Sequence, residues 1–254
     1  MNRSVLIVAV AIFLVTHAAN LQVPLYDTYA KIAGFGSSIS AIAFSTYVAG
    51  LLPTLILLGG ISDRVGRKTV ILASLLSASL ATFLMIAHPT IYTLFATRVL
   101  QGIAVGLITG TGTAYLSGLL LRNSAQVAIY VSLTTSLGFS SGALFTNGAL
   151  LYKNSLVPFS YWVVFILILG CIGLAISLPE QPVSKGALIR LPSFPDGTLP
   201  AGLAIALAWS LAGIVGVILP AQLVSAIQSA QLVGSTVVHF RDDGCPIATI
   251  CPSP

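Results

Sequence analysis

Residues 59–68 read Gly59-Gly60-Ile61-Ser62-Asp63-Arg64-Val65-Gly66-Arg67-Lys68, and this stretch decides the fold. It holds four charges within six positions, one carboxylate and three cations, between two long apolar runs. Its glycines lack a Cβ atom, so they permit a tight turn and a close approach of helices. A polar turn this short, between apolar runs of membrane-spanning length, is typical of a cytoplasmic loop that joins two transmembrane helices.

The composition predicts an integral membrane protein. Hydrophobic residues make up 56% of the chain and charged residues only 7%, with a mean hydropathy of +1.01. Soluble domains carry about 25% charged residues, because their surface must be solvated. We therefore expect the lipid bilayer to surround this chain. Its net charge of +5 is scattered rather than gathered into a basic stripe, so no nucleic-acid partner is expected.

Seven apolar runs are long enough to cross a hydrocarbon core of about 30 Å as helices. They cover residues 5–25, 39–58, 69–87, 91–121, 125–151, 159–178 and 198–220. The first run also fits a cleaved signal peptide loosely, and the bundle-like spacing of the later runs argues against that alternative. Residues 27–38 are predicted as a polar connection.

The runs and their connections predict four regions. Residues 1–178 form a six-helix transmembrane bundle, and residues 179–197, which hold four prolines, form a cytoplasmic linker. Residues 198–220 form a seventh transmembrane helix. Residues 221–254 form a polar, poorly ordered tail.

The cations of the short loops predict the orientation, because lysine and arginine concentrate on the cytoplasmic side. With the N-terminus inside, only Lys31 and Lys153 of the loop cations fall outside. We therefore expect a multi-pass protein of the cell membrane with a cytoplasmic N-terminus. The cytoplasmic set comprises Arg3, Arg64, Arg67, Lys68, Arg122, Lys185 and Arg190.

Two patterns resemble motifs of the major facilitator superfamily of transporters. The run Gly60-x-x-Asp63-Arg64-x-Gly66-Arg67-Lys68 resembles the signature loop between helices 2 and 3 of that family. The run Arg98-x-x-Gln101-Gly102 resembles its helix 4 motif. The resemblance implies an all-α membrane protein with the six-helix N-terminal bundle of that family plus a seventh transmembrane helix. That layout corresponds to the N-terminal half and the first helix of the second half, and predicts a truncated transporter.

The resemblance also implies a gating role for the loop. Its aspartate, Asp63 here, would face a helix N-terminus of the second half and a basic residue at the end of helix 4, for which Arg122 is the candidate. The alternative is a loop whose charges only fix topology. The predicted gating residues are Gly60, Asp63, Arg64, Gly66, Arg67 and Lys68.

Arg98 lies within an apolar run, where a guanidinium is costly and normally faces the bundle interior. The resemblance implies proton coupling and a polar cavity at this position. The alternative is an arginine that snorkels to the interface. The remaining candidates for this site are Gln101, Gly102, Asp27 and Asn20. Glycines at positions 102, 106 and 110 would let a neighbouring helix approach closely.

No catalytic constellation, phosphate loop or metal-ligand cluster occurs in the sequence, so neither an enzyme nor a cofactor is expected. Cys171 is predicted as a small core residue. The leading hypothesis is a secondary active transporter of a small-molecule substrate, driven by an ion gradient, most simply of protons, through alternating access. The alternatives are an inactive half-transporter, one that pairs with a second half or chain, and a non-transporting membrane scaffold.

Overall fold

The computed structural model describes residues 3–36, 39–57, 60–120, 123–153 and 155–181, together with five isolated positions between 199 and 211. Residues Met1–Ser193 and Phe194–Pro254 form two separate compact units, and the helices described below belong to the first. Most of the predicted seventh helix, most of the linker and the whole predicted tail lie outside the described residues.

In the described part of the first unit, six helices are long and apolar enough to cross a membrane, the first of them counted through residue 32. The described part of this unit is all-helical, which confirms the predicted fold class. The helices are α1 (Arg3–Asn20), α2 (Tyr26–Ile32), α3 (Ile39–Leu57), α4 (Ile61–Val65), α5 (Arg67–Ala87), α6 (Ile91–Leu119), α7 (Ser124–Tyr152) and α8 (Phe159–Ile176).

Helix α6 is the centre of the bundle and packs against α1, α3, α5 and α7. Its start is fixed by Thr90, whose side-chain oxygen accepts from the backbone N–H of Thr93. Helix α7 starts in the same way, with the side chain of Asn123 accepting from the N–H of Gln126. These caps satisfy backbone donors that would otherwise lack partners at the helix ends.

The core is apolar, and so is much of the outer surface. Leu137 and Leu144 on α7 and Ile166 on α8 are each more than half exposed. On a soluble protein such a surface would be a liability. On a bundle surrounded by acyl chains it is the expected lipid-facing surface, because lipid is as apolar as these side chains.

The helix boundaries differ from the prediction in two places. The predicted polar connection at residues 27–38 contains α2, because Tyr26, Tyr29 and Ala30 recur at helical spacing and are buried together. A 3₁₀ turn at Val23–Leu25, with its proline at the start, separates α2 from α1. The charged loop is also not a simple turn, since it contains the short helix α4.

Candidate functional site

The charged loop is organised by Arg67, the first residue of α5. Its Nη1 donates to the backbone oxygen of Ala114 on α6 at 2.8 Å and to Oε1 of Gln181 at 2.6 Å. Its Nη2 lies 3.5 Å from Oδ1 of Asp63 on α4, as a hydrogen bond and an ion pair. One guanidinium therefore connects α4, α6 and the segment that follows α8.

Gln181 is a residue that sequence reasoning missed, because it lies in the predicted linker. Its Nε2 donates to the backbone oxygen of Tyr115 at 3.1 Å, while its Oε1 accepts from Arg67. The Tyr115 hydroxyl in turn donates to the backbone oxygen of Pro179 at 2.6 Å. We call Asp63, Arg67, Tyr115 and Gln181 the Arg67 cluster. A lone glutamine between prolines gives no sequence signal for this role.

The two glycines of the predicted gating loop differ in backbone conformation. Gly66 has φ of +99°, a conformation that L side chains rarely adopt, so glycine is required there. Gly60 has φ of −92°, which any residue adopts. Arg64 is exposed and Lys68 is half-buried. Arg122, the predicted partner of Asp63, lies outside the described residues.

Arg98 lies inside the bundle, with only 2% of its surface exposed. Its Nη1 donates to the backbone oxygen of Ala19 on α1 and, at 3.1 Å, to Oε1 of Gln101 on its own helix. Its guanidinium carbon lies 4.7 Å from the centre of the Tyr26 ring. Gln101 donates onward to the backbone oxygen of Ala18 at 3.2 Å. Arg98 therefore bonds to the carbonyl end of α1 and is not a snorkelling side chain.

The other two candidates for this site lie apart from the guanidinium contacts. Asp27 accepts a hydrogen bond from the Ser40 hydroxyl at 3.1 Å, and no ion pair joins Arg98 to a carboxylate among the described residues. Asn20 donates to the backbone oxygen of Phe139 on α7 at 2.8 Å. Their roles in a cavity remain predictions.

Gly102 and Gly106 let α3 approach α6 closely, whereas Gly110 does not. A Cβ on Gly102 would meet the backbone oxygen of Tyr47 and lie 2.7 Å from the backbone nitrogen of Leu51. A Cβ on Gly106 would lie 2.8 Å from the Thr54 side chain. A Cβ on Gly110 has no neighbour within 4 Å, so the predicted contact surface ends before this residue.

Two further polar side chains lie beside Arg98. Gln22 accepts from the Thr97 hydroxyl at 3.3 Å, one residue before Arg98. Tyr47 of α3 is buried, and its backbone oxygen packs against Gly102, one turn beyond Arg98 on α6. We call Gln22, Tyr26, Tyr47, Arg98 and Gln101 the Arg98 cluster. Gln22 and Tyr47 were not among the sequence candidates, because neither belongs to a charged motif.

No group of three or more histidine, cysteine or acidic side chains capable of holding a metal occurs within the ranges that the structure describes. Cys171 is buried and unbonded. The two arginine-centred clusters lie at separate positions along α6. Arg98 and Ala114 are sixteen residues apart on α6, about 24 Å at 1.5 Å per residue.

Six helices of membrane-spanning length in the described part of the chain, with two arginine-centred clusters, define a multi-pass helical membrane protein. The profile of the Major Facilitator Superfamily matches residues 8–238. The chain belongs to the Major Facilitator Superfamily.

Individual relatives agree with this assignment at low identity. The chain is 30% identical over 142 residues to monosaccharide-sensing protein 2 of Arabidopsis thaliana, covering 52% of this chain and 19% of that protein. It is 27% identical over 157 residues to the inner membrane transport protein YnfM of Escherichia coli K12, covering 61% of this chain and 36% of that protein. The chain thus spans well under half the length of these relatives.

The fold resembles that of the human organic anion transporter MFSD10 (TETRAN). The match has a TM-score of 0.57 and 21% identity, and covers 77% of this chain and 52% of that chain. At this identity the similarity concerns the fold alone.

Proposed function

We propose that this protein forms part of a secondary active transporter that moves a small solute across the cell membrane by alternating access. The observation that supports the proposal best is the family match over residues 8–238, on a bundle with six candidate membrane spans. We infer a cytoplasmic N-terminus from the loop cations, and a proton gradient as the driving force.

The described bundle corresponds to one of the two halves between which solute passes in this family. We propose that transport needs a second bundle opposite it, because one half supplies only one wall of a central cavity. The Arg67 cluster would then fix the loop on the cytoplasmic side of this half, and the Arg98 cluster would lie toward the opposite side. A scaffold that does not transport is the competing proposal.

The test is solute uptake by the chain, reconstituted in lipid vesicles together with any bundle that co-purifies with it, under an imposed proton gradient. Glucose, benzoate and ethidium serve as probes, because similar proteins include a monosaccharide-sensing protein of Arabidopsis thaliana, a probable multidrug-efflux transporter of Mycobacterium tuberculosis and a human organic anion transporter. We expect gradient-dependent uptake of one probe, which a protonophore abolishes.

Variants connect the flux to the two clusters. Asp63→Asn and Arg98→Ala should each reduce uptake at least tenfold. Lys153→Gln removes an exposed cation beyond the end of α7 and should leave uptake unchanged. Absence of uptake of all three probes, by the chain alone and after co-reconstitution with any bundle that co-purifies with it, would favour the scaffold.

A further inference from the structure

The Arg98 cluster contains buried hydrogen-bond donors that no described residue satisfies. Nε and Nη2 of Arg98, Nε2 of Gln22 and the hydroxyl of Tyr47 all lack a partner within the described part of the chain. Their side chains are 2%, 0% and 5% exposed, respectively. Natural structures rarely leave such groups unpaired, so each unsatisfied buried polar atom calls for an explanation.

The two unsatisfied nitrogens of Arg98 share one edge of the guanidinium. Nε–H and one N–H of Nη2 point in parallel from that edge, and this pair matches the two oxygens of a carboxylate. The opposite nitrogen, Nη1, is already occupied by Ala19 and Gln101. Ala19, Gln101 and the Tyr26 ring therefore hold the side chain, while its Nε–Nη2 edge has no hydrogen-bond partner among the described residues.

All of the unsatisfied groups can donate a hydrogen bond. Arg98 and Gln22 contribute N–H donors, and the tyrosine hydroxyl can donate as well. Burying a guanidinium without a counterion is unfavourable, and the described residues supply no carboxylate to it. The chemistry that satisfies this set is an acceptor with negative charge.

We propose that the Arg98 cluster binds the carboxylate of a small organic anion, which is the substrate class of the transporter. The carboxylate occupies the Nε–Nη2 edge of Arg98, with Tyr47 and Gln22 as further donors. This inference rests on the proposed transport function for its physiological meaning, whereas the binding itself does not. A single charge is expected, because Arg98 is the one cation that the described residues bring to this cluster.

The experiment compares benzoate with its uncharged analogue benzamide on the full chain in detergent micelles. Ligand binding to the folded state raises the midpoint of thermal unfolding in a concentration-dependent manner. We expect benzoate to raise that midpoint and benzamide to leave it unchanged. A response no larger for benzoate than for benzamide overturns the proposal, and so does an equal response to chloride, which lacks two oxygens.

Variants test the assigned atoms. Arg98→Lys keeps the charge and removes the bidentate edge, so the Kd for benzoate should rise at least tenfold. Tyr47→Phe removes one hydroxyl and should raise the Kd about fivefold, as loss of one hydrogen bond worth about 1 kcal/mol predicts. Tyr92→Phe, at a tyrosine that is 74% exposed, is the matched control and should leave the Kd unchanged.

Gln22→Glu tests the same site with Arg98 intact, in case the variants at Arg98 do not fold. Gln22 contacts Thr97, the residue before Arg98, so a carboxylate at position 22 would supply the missing negative charge; it should raise the unfolding midpoint without ligand and abolish the response to benzoate. A Gln22→Glu variant that still binds benzoate like the parent chain contradicts the assignment.

The outcomes separate this inference from the transport proposal. Benzoate binding without flux of any probe retains the carboxylate site and rejects transport. Flux of glucose or ethidium without benzoate binding retains transport and rejects the carboxylate site.

Discussion

Arg67 and Arg98 each connect α6 to other parts of the bundle, but their surroundings differ. Arg67 is about a quarter exposed, and its two terminal nitrogens bond to a carboxylate, an amide oxygen and a backbone carbonyl. Arg98 is buried, and its Nε and Nη2 have no partner among the described residues. The first arrangement holds segments together, and the second leaves donors for something else to bind.

The two arginines differ in how much water their guanidinium groups retain. A partly exposed guanidinium retains water, so each protein hydrogen bond contributes modestly and the number of bonds matters. A buried guanidinium loses its water entirely, and every unpaired N–H then costs free energy. We infer that Arg67 stabilises its end of the bundle, whereas Arg98 lowers the stability of the folded chain.

Replacing Arg98 and replacing Arg67 should change the free energy of unfolding in opposite directions, and this is the largest of the four effects. Arg98→Met should leave the chain equally stable or stabilise it by up to about 4 kcal/mol, because an uncompensated buried charge is removed. Arg67→Met should destabilise it, since it removes three partnered contacts. Thermal unfolding in one detergent, without added anions, measures both. Loss of stability in Arg98→Met would show that the guanidinium is satisfied in the folded protein.

The next effect tests the packing that positions the Arg98 cluster. Gly102→Ala should cost about 1–3 kcal/mol, because the added methyl group meets the backbone of α3 at Tyr47. Gly110→Ala, on the same helix with open space around it, should be neutral or stabilising by up to about 1 kcal/mol. Equal losses in the two variants would mean that close α3–α6 contact does not position this cluster.

A smaller effect concerns the coupling of Arg67 to Gln181. In a double-mutant cycle of Arg67→Gln and Gln181→Ala, we expect a coupling free energy of about 1 kcal/mol, because the 2.6 Å bond joins a charged donor to a half-exposed amide. The neighbouring exposed Glu180→Ala should show no coupling to Arg67→Gln. A coupling of zero for Gln181 would remove it from the Arg67 cluster.

The smallest effect concerns the hydroxyl of Tyr115. Tyr115→Phe removes its bond to the backbone oxygen of Pro179 and should cost about 0.5–1 kcal/mol. Hydrogen exchange at residues 177–181 should accelerate, while exchange near residues 90–98 stays unchanged. Faster exchange in both places would indicate a general loosening of the bundle instead.

Most of the fold was predictable from the order of apolar and polar runs. The starts and ends of α3, α5, α6, α7 and α8 agree with the prediction to within two residues, whereas α1 ends at Asn20 rather than at residue 25. A bilayer forces each apolar run into a helix whose backbone bonds to itself. Helix α2 was missed, because a seven-residue helix depends on burying Tyr26 and Tyr29 against the bundle. The site was only partly predictable: Arg98 and Arg67 stand out as charges, whereas Gln22, Tyr47 and Gln181 do not.

The sequence alone was enough to predict the class of protein and to single out Arg67 and Arg98 as candidate site residues. The lengths of the apolar runs, the sparse charges and the 59–68 stretch are properties of consecutive residues. They can be recognised without knowing which distant residues are in contact. Only the tertiary structure decided which acceptors each arginine meets. Gln181 lies 114 positions beyond Arg67 along the chain, and Ala19 lies 79 positions before Arg98. Helix rotation and packing bring these groups together, so whether an arginine is satisfied is a property of the packed bundle.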